Sequence, residues 1–424
     1  MNKESFYANT ILFPTSLINR TINIILKLKI LLIFILISLF SCSSKNQTEN
    51  SGEKEIEVVQ PLNLSETQFP YAFFTDSQKI LNNSESTVIM DKLINFIDAT
   101  PEGSSIFLSI YLFDYKPVIN ALKRSHSRKV KLHIMADMSD RSSNSGTLNE
   151  FRNLNEGIEI VEIKNDASSI AINHNKFILF SEVVTKNGTV KNVIFQTSHN
   201  FIRDGMKKIQ DAVILSNSGL YKAYYDNWQE MRNLSDEGMK NYLYTEYINT
   251  SENIRANFYP KRKNGASFGE DTVIEMLDNI SQPDATTIKI GMSDWSDSRK
   301  LIIDKLDELL MKGAKIEIIT KSGKGPEINN GLKSLEIRGA YVKMFNMENV
   351  GVPKINLHSK VMLIDGVING EKSNLIMTGT QNFTNNAIWN NNEISLIFYN
   401  HAFYDKYENY FKELKKLPGI EIPD

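Results

Sequence analysis

Two short stretches carry the residue types that can do chemistry. One reads Leu357-His358-Ser359-Lys360-Val361-Met362-Leu363-Ile364-Asp365, the other Asn173-His174-Asn175-Lys176-Phe177-Ile178-Leu179-Phe180-Ser181. In each, a lysine follows a histidine by two residues and an apolar run comes next. Such a run, partly β-branched, predicts a buried strand, and on a strand positions i and i+2 share a face. A neutral imidazole and an ammonium held side by side make a seat for an anion. The arrangement is doubled. His174 and His358 are 184 positions apart; Ser198 and Thr380, Asn200 and Asn382, and Asp211 and Glu393 are each 182 apart. Four features in one order at a nearly constant offset mark an internal duplication.

The doubled pattern resembles the phospholipase D superfamily, whose signature is two HxKxxxxD elements, each followed by a Gly/Ser-x-Asn element. The second copy carries the signature in full. In the first, Ser181 stands where the signature has Asp. The resemblance covers roughly residues 65 to 415. It implies chemistry on a phosphodiester, an anion that needs a nucleophile, an acid for the leaving oxygen and fixed positive charge on its non-bridging oxygens. By the resemblance His174 is the nucleophile, forming a phosphohistidine, and His358 is the general acid and then the base. Lys176 and Lys360 neutralise the phosphoryl oxygens. Asn200 and Asn382, with the Ser198 and Thr380 hydroxyls, donate hydrogen bonds to the same oxygens. Asp211 and Glu393 accept from histidine Nδ1–H, so that Nε2 faces phosphorus. Asp365 belongs to the site as a charged partner, and Ser181 keeps its hydrogen bond without the charge. No metal or other cofactor is implied, because the lysines fill the electrostatic role. The superfamily includes lipid hydrolases, lipid synthases and nucleases.

These residues need a scaffold, and the alternation of apolar periods supplies one. Period-3.6 patterns predict helices over 88–99, 117–124, 147–154 and 221–231 in the first half, and over 271–280, 300–311 and 402–417 in the second. Strands are predicted over 105–113, 130–136, 158–163, 190–196 and 211–215, then over 287–292, 315–320, 340–345, 374–379 and 394–398. Asn187-Gly188 between two apolar runs predicts a hairpin. Strands alternating with helices mean α/β layers. The expectation is two similar α/β/α halves with mixed sheets, related by a pseudo-twofold axis: residues 65–235 and 266–424, joined by a polar connector over 236–265. Having both motifs in one chain predicts a monomer. His199 is expected to point away from the site, and His126, His133 and His401 to be surface or core residues. With its histidines scattered and its one cysteine at Cys42, the chain presents no metal-ligand cluster.

Of its 424 residues, 41% are apolar and 23% charged, which suits a globular body with a sizeable core. The leader differs. Arg20, Lys27 and Lys29 precede an apolar run over 30–40, the layout of a secretory signal. The run ends in Leu39-Phe40-Ser41-Cys42, which resembles the lipobox of bacterial lipoproteins, with Cys42 as the lipidated residue. Residues 43–64 then form a flexible tether. The expectation is an exported protein of a bacterial cell envelope, lipid-anchored to a membrane. After residue 42 the chain has 44 Lys and Arg against 49 Asp and Glu, a formal charge of −5. A mildly acidic body argues against broad nonspecific binding to nucleic acid. The leading expectation is therefore a phospholipase D-like phosphodiesterase acting on phospholipid. The alternatives are an exported endonuclease with the same site, or a catalytically weakened phosphate-binding protein.

Overall fold

The computed structural model describes residues 58–62, 69–154, 157–348 and 350–423. The leader, Cys42 and most of the tether lie outside them. Two mixed sheets carry the chain. In the first the strand order is Ile158–Ile163, Lys131–Asp137, Ser105–Ile110, Lys176–Thr185, Gly188–Thr197, Asp211–Ser216 and Tyr71–Phe74. In the second it is Tyr341–Phe345, Lys315–Lys321, Ile280–Met292, Lys360–Ile368, Glu371–Gly379, Glu393–Tyr399, Ile254–Tyr259 and Thr245–Asn249. The first three strands of each order pair in parallel. Helices Lys116–Ser127 and Ser145–Arg152 serve as crossovers in the first half, Lys300–Met311 and Pro326–Ile337 in the second. The other strands pair antiparallel. The two halves thus repeat one architecture, as the duplicated sequence predicts.

The strands that follow the two lysines read as apolar runs because both faces of each are covered. Phe177 and Leu179 enter a central core, while Ile178 and Phe180, on the opposite face, enter an outer one. Val361 and Leu363 join the same central core, and Met362 and Ile364 a third core on the far side. Two helices fill the centre. Ser218–Asn233 brings Tyr224, Trp228 and Met231, and Tyr404–Lys416 brings Tyr407, Phe411 and Leu414. The Trp228 indole N–H also donates to the Leu108 carbonyl, at 3.1 Å.

The hairpins form where turn chemistry predicts them. Thr185 pairs with Gly188 across a two-residue loop, and Asn369 and Gly370, both at positive φ, join Ile368 to Glu371. The stretch read as a connector is more than a link. Thr245–Asn249 and Ile254–Tyr259 within it are strands of the second sheet. Its polar residues obscured the alternation Ile254, Ala256, Phe258, which faces the central core.

Candidate active site

The histidines do not lie within the strands that follow them. Those strands begin at Lys176 and Lys360, and each histidine docks just before its strand onto the opposite half of the chain. The His174 N–H donates to the Asn392 carbonyl at 2.9 Å, and the Asn392 N–H returns a bond to Ile172 at 3.0 Å. The His358 N–H donates to the Ile209 carbonyl at 2.8 Å, and the Ser359 N–H to the same oxygen at 3.0 Å. This crossed docking brings both motifs to one place. Burial depresses the basicity of each imidazole, and each also sits in the field of the other half's lysine: Lys360 acts on His174 and Lys176 on His358.

The ring partners are exchanged between halves as well. His174 Nδ1 lies 2.8 and 3.0 Å from the two carboxylate oxygens of Glu393. His358 Nδ1 lies 2.9 Å from Gln210 Oε1, and Asp211 does not reach it. Backbone contacts explain the change of partner. The Ser198 N–H donates to the Asp211 carbonyl, whereas the Thr380 N–H donates to Ile394. Asp211 therefore occupies the place of Ile394, and Gln210 that of Glu393, one residue off the register read from spacing. On a strand one residue reverses the face. Asp211 turns inward and accepts from Ser198 Oγ at 2.9 Å, from the Tyr407 hydroxyl at 2.9 Å and from Thr378 Oγ1. Gly379 keeps the second copy in its own register: at φ +145° any Cβ would come 2.1 Å from the Ile394 carbonyl oxygen.

Both lysines are buried, and each donates back to the histidine before it: Lys176 Nζ to the His174 carbonyl at 2.7 Å, Lys360 Nζ to that of His358 at 2.5 Å. Burial lowers Lys176 well below its ordinary value. Burial brings Lys360 to about 7, with Asp294 opposing and Lys321 adding to the fall. An anion between the two would restore their charge. His174 is likewise lowered, by burial first, with the Glu393 carboxylate opposing and Lys176 adding. With Nδ1–H given to Glu393, its Nε2 is left with a free lone pair, the state a nucleophile needs. His358 is pushed well below the ordinary value by burial and by Lys360, Lys208, Lys176 and Lys321, and only a neutral amide faces its Nδ1. Asn200 Oδ1 is buried without a hydrogen-bond partner among the described residues, and Asn382 Oδ1 accepts the Asp294 N–H at 3.3 Å.

Residues 93–235 and 276–415 each match the family described as cardiolipin synthase, phospholipase D-like domain, together about two thirds of the chain. The chain belongs to the phospholipase D-like family. A comparison with curated proteins found no match. Among solved structures, phosphatidylserine synthase from Haemophilus influenzae superposes with a TM-score of 0.53 at 11% identity, covering 84% of this chain and 90% of that one. Polyphosphate kinase from Porphyromonas gingivalis gives 0.52 at 14%, covering 89% of this chain. The alignment spans 58% of the kinase's length. At these identities the likeness is one of fold.

In this phospholipase D-like chain several expected site residues lie elsewhere. Asp365 is exposed, five residues along its strand from Lys360, where it pairs with Asn374 and Thr287. At ~3.3 Å per residue that is roughly 16 Å from the lysine. Ser181, at the same place in the first copy, accepts the Ser105 N–H at 2.9 Å and ties two strands together. Ser181→Asp is therefore expected to change phosphodiester turnover by less than about threefold, measured as kcat on a soluble diester, because surface substitutions remote from a site have small effects. Ser198 spends its hydroxyl on Asp211, and Thr380 Oγ1 accepts the Ile394 N–H at 3.1 Å. Both brace the neighbouring strand, Ser198 by donating its hydroxyl proton to Asp211 and Thr380 by accepting from the backbone. His199 is buried against the carbonyl of Asn200, with its Nε2 unpartnered among the described residues.

Other residues enter that spacing did not single out. Asn391 donates to Glu393 Oε1 at 3.1 Å and accepts the Ile172 N–H at 3.1 Å, so it fixes both the carboxylate and the approach to His174. Asp137 Oδ2 holds the Asn173 N–H at 2.6 Å. The Tyr111 ring sits edge-on to His174 at 5.3 Å, with Lys176 Nζ 5.4 Å from its centre. The one sequence signal for Asp137 was its place at a predicted strand end, where α/β sheets hold their ligands; Tyr111 lay inside the predicted strand 105–113, which in fact ends at Ile110. Gln210 carried none. Among the described residues no group of three or more His, Cys, Asp or Glu is placed to hold a metal ion, and no helix is long and apolar enough to cross a membrane.

Proposed function

We propose that the protein is a phosphodiesterase of phospholipase D type that hydrolyses or transfers the phosphatidyl group of phospholipids through a phosphohistidine on His174. The observation that carries the reading is the asymmetric pair: His174 on the carboxylate of Glu393, His358 on the amide of Gln210. In the first step His174 Nε2 attacks phosphorus and the bond to the head-group oxygen breaks. His358 Nε2–H gives its proton to the leaving oxygen. Lys176 and Lys360, with Asn200 and Asn382, hold the non-bridging oxygens. The phosphohistidine ring is cationic, and Glu393 stabilises it. In the second step His358 takes a proton from water or an alcohol, whose oxygen attacks phosphorus and frees His174.

The choice of lipid is supported by the family's cardiolipin synthase description, by the named activity of the Haemophilus enzyme of like fold and by the acidic body. An anchor at Cys42, on an exported protein of the cell envelope, is part of the same proposal. The test is turnover of phosphatidylglycerol vesicles, with ethanol as acceptor for transfer, beside single-stranded DNA at low salt. Head-group release or phosphatidylethanol formation supports the reading. Cleavage of DNA with no action on lipid overturns it.

The asymmetry also predicts a pH shift. A general acid must be protonated, so kcat/KM falls as pH rises through its pKa. Burial depresses the pKa of His358, and Lys360, Lys208, Lys176 and Lys321 add to the fall. Gln210→Glu places a negative charge at 2.9 Å and raises that pKa, moving the alkaline limb to higher pH by about one unit or more. A pH profile of kcat/KM on a soluble diester measures it. An unmoved limb would remove His358 from the acid role.

A further inference from the structure

Beyond the two motif lysines, a second set of lysines gathers on one side of the site. Lys208 and Asn356 pair across short parallel strands that lead into Gln210 and His358. Lys321 Nζ lies 3.5 Å from Asn356 Oδ1 and 3.3 Å from Asp294 Oδ1. Lys324 Nζ donates to the Ser293 carbonyl at 2.5 Å and lies 3.9 Å from the same Asp294 oxygen. The Ser293 N–H donates in turn to Ser359, between the motif histidine and lysine. Lys208 and Lys354 line a groove of about 470 Å³, and neither has an ion-pair partner among the described residues. Lys208 thus sits in the field of Lys321 and Lys354, with Asp204 and Lys207 also lining the groove, while Lys321 shares Asp294 with Lys324, which lies along a separate groove. Burial and the neighbouring lysines depress Lys208, burial brings Lys324 to about 8, and against burial the lysines hold Asp294 at about 2. Charges of one sign crowded so closely are the mark of a site for an anion.

Their position decides which part of a substrate they meet. Lys208 pairs with Asn356, two residues before His358, the residue proposed above to protonate the leaving oxygen, and Lys208 and Lys321 both act on that ring, whereas the charges acting on His174 are those of Glu393, Lys176 and Lys360. We propose that Lys208, Lys321 and Lys354 form a second phosphate subsite on the leaving-group side, selecting phospholipids whose head group carries a further phosphate. This rests on the phosphatidyl-transfer reading of the same site. A lone scissile phosphate is already met by Lys176 and Lys360, so three more ammonium groups are in excess of what it needs. The general acidity of His358 gains nothing from them either, since with the head-group phosphate absent they only lower its affinity for a proton.

The experiment uses the full chain and two vesicle probes, phosphatidylinositol and phosphatidylinositol 4-phosphate, which differ by one head-group phosphate. The expected result is a kcat/KM for the phosphorylated lipid about tenfold above the other, the size of one or two charge-assisted contacts. In Lys208→Met/Lys354→Met the ratio should fall towards one. Lys354→Met alone, at an exposed position, should move it the same way and guards against misfolding. Equal ratios in wild type and variants overturn the subsite. Calorimetry with inorganic pyrophosphate and inorganic phosphate separates this from the lipid reading. If phosphatidylglycerol is turned over but neither inositol lipid is, the head-group selection is overturned while the lipid reading stands; if phosphatidylglycerol is not turned over either, the lipid reading fails, and the subsite stands only if pyrophosphate binds the wild type about tenfold more tightly than the double variant, equal binding overturning it. Turnover of a single-stranded oligonucleotide with the same lysine dependence overturns the lipid assignment and keeps the subsite.

Discussion

His174→Ala should lower turnover of any phosphodiester substrate by at least about 10³-fold and abolish covalent labelling of the protein, since the nucleophile of the covalent step is lost. The ring is buried at 7% exposure, its Nδ1–H is committed to Glu393 and its Nε2 is free. No neighbouring group can replace it. Lys176 is the nearest other nitrogen nucleophile, but it is turned to the His174 carbonyl and keeps its charge once an anion is bound. The measurement is a single turnover with phosphorus-labelled substrate under an alkaline denaturing quench, which preserves phosphohistidine. Wild type and His358→Ala should both carry label, the latter longer, because His358→Ala slows the second step more than it prevents the first. Label persisting in His174→Ala and lost in His358→Ala would reverse the two roles.

Glu393→Gln should cost about 10²- to 10³-fold in kcat with little change in KM. Glu393 is buried and accepts His174 Nδ1–H on both oxygens while Asn391 donates to Oε1. Asn391 cannot turn to suit a new partner, because its own oxygen holds the Ile172 N–H and the Asn386 amide. A glutamine at 393 would keep its oxygen towards Asn391 and set its NH₂ against the imidazole N–H, donor to donor. It would also remove the negative charge beside the phosphohistidine ring. An ion pair at about 4 Å in an effective dielectric of 20 is worth about 4 kcal/mol, and desolvation offsets part of that. Paired kcat and KM values on a soluble diester test this. A loss confined to KM would mean that Glu393 shapes binding and not the covalent step. Since Gln210 already plays the amide's part opposite His358, the double variant Glu393→Gln/Gln210→Glu asks whether the roles of the two histidines can be exchanged.

Much of the scaffold was legible because its signals are local. Apolar runs marked the strands, Asn187-Gly188 marked a hairpin, and the nearly constant offset of His, Lys, Ser or Thr, and Asn marked the doubling. The strands over 245–259 were less visible, since their outward positions are polar and their inward ones pair with Glu393–Tyr399, far along the chain. Asp365 and Ser181 show the opposite error. They share a motif with the lysines, yet a strand carries its residues away from one another, so nearness in a signature is not nearness in space.

The sequence by itself determined that two equivalent His-Lys elements exist, that each leads a buried strand, and that an anion is what such elements hold. The tertiary structure alone decided the partners. Glu393 reaches His174 across 219 positions, Gln210 and not Asp211 faces His358, and Lys208 and Lys321 from separate segments act on the His358 ring. The reason is geometric. Spacing along one strand is fixed by backbone repeat, but the partner of a ring nitrogen comes from another strand, and a register shift of one residue turns a carboxylate from the site into the core.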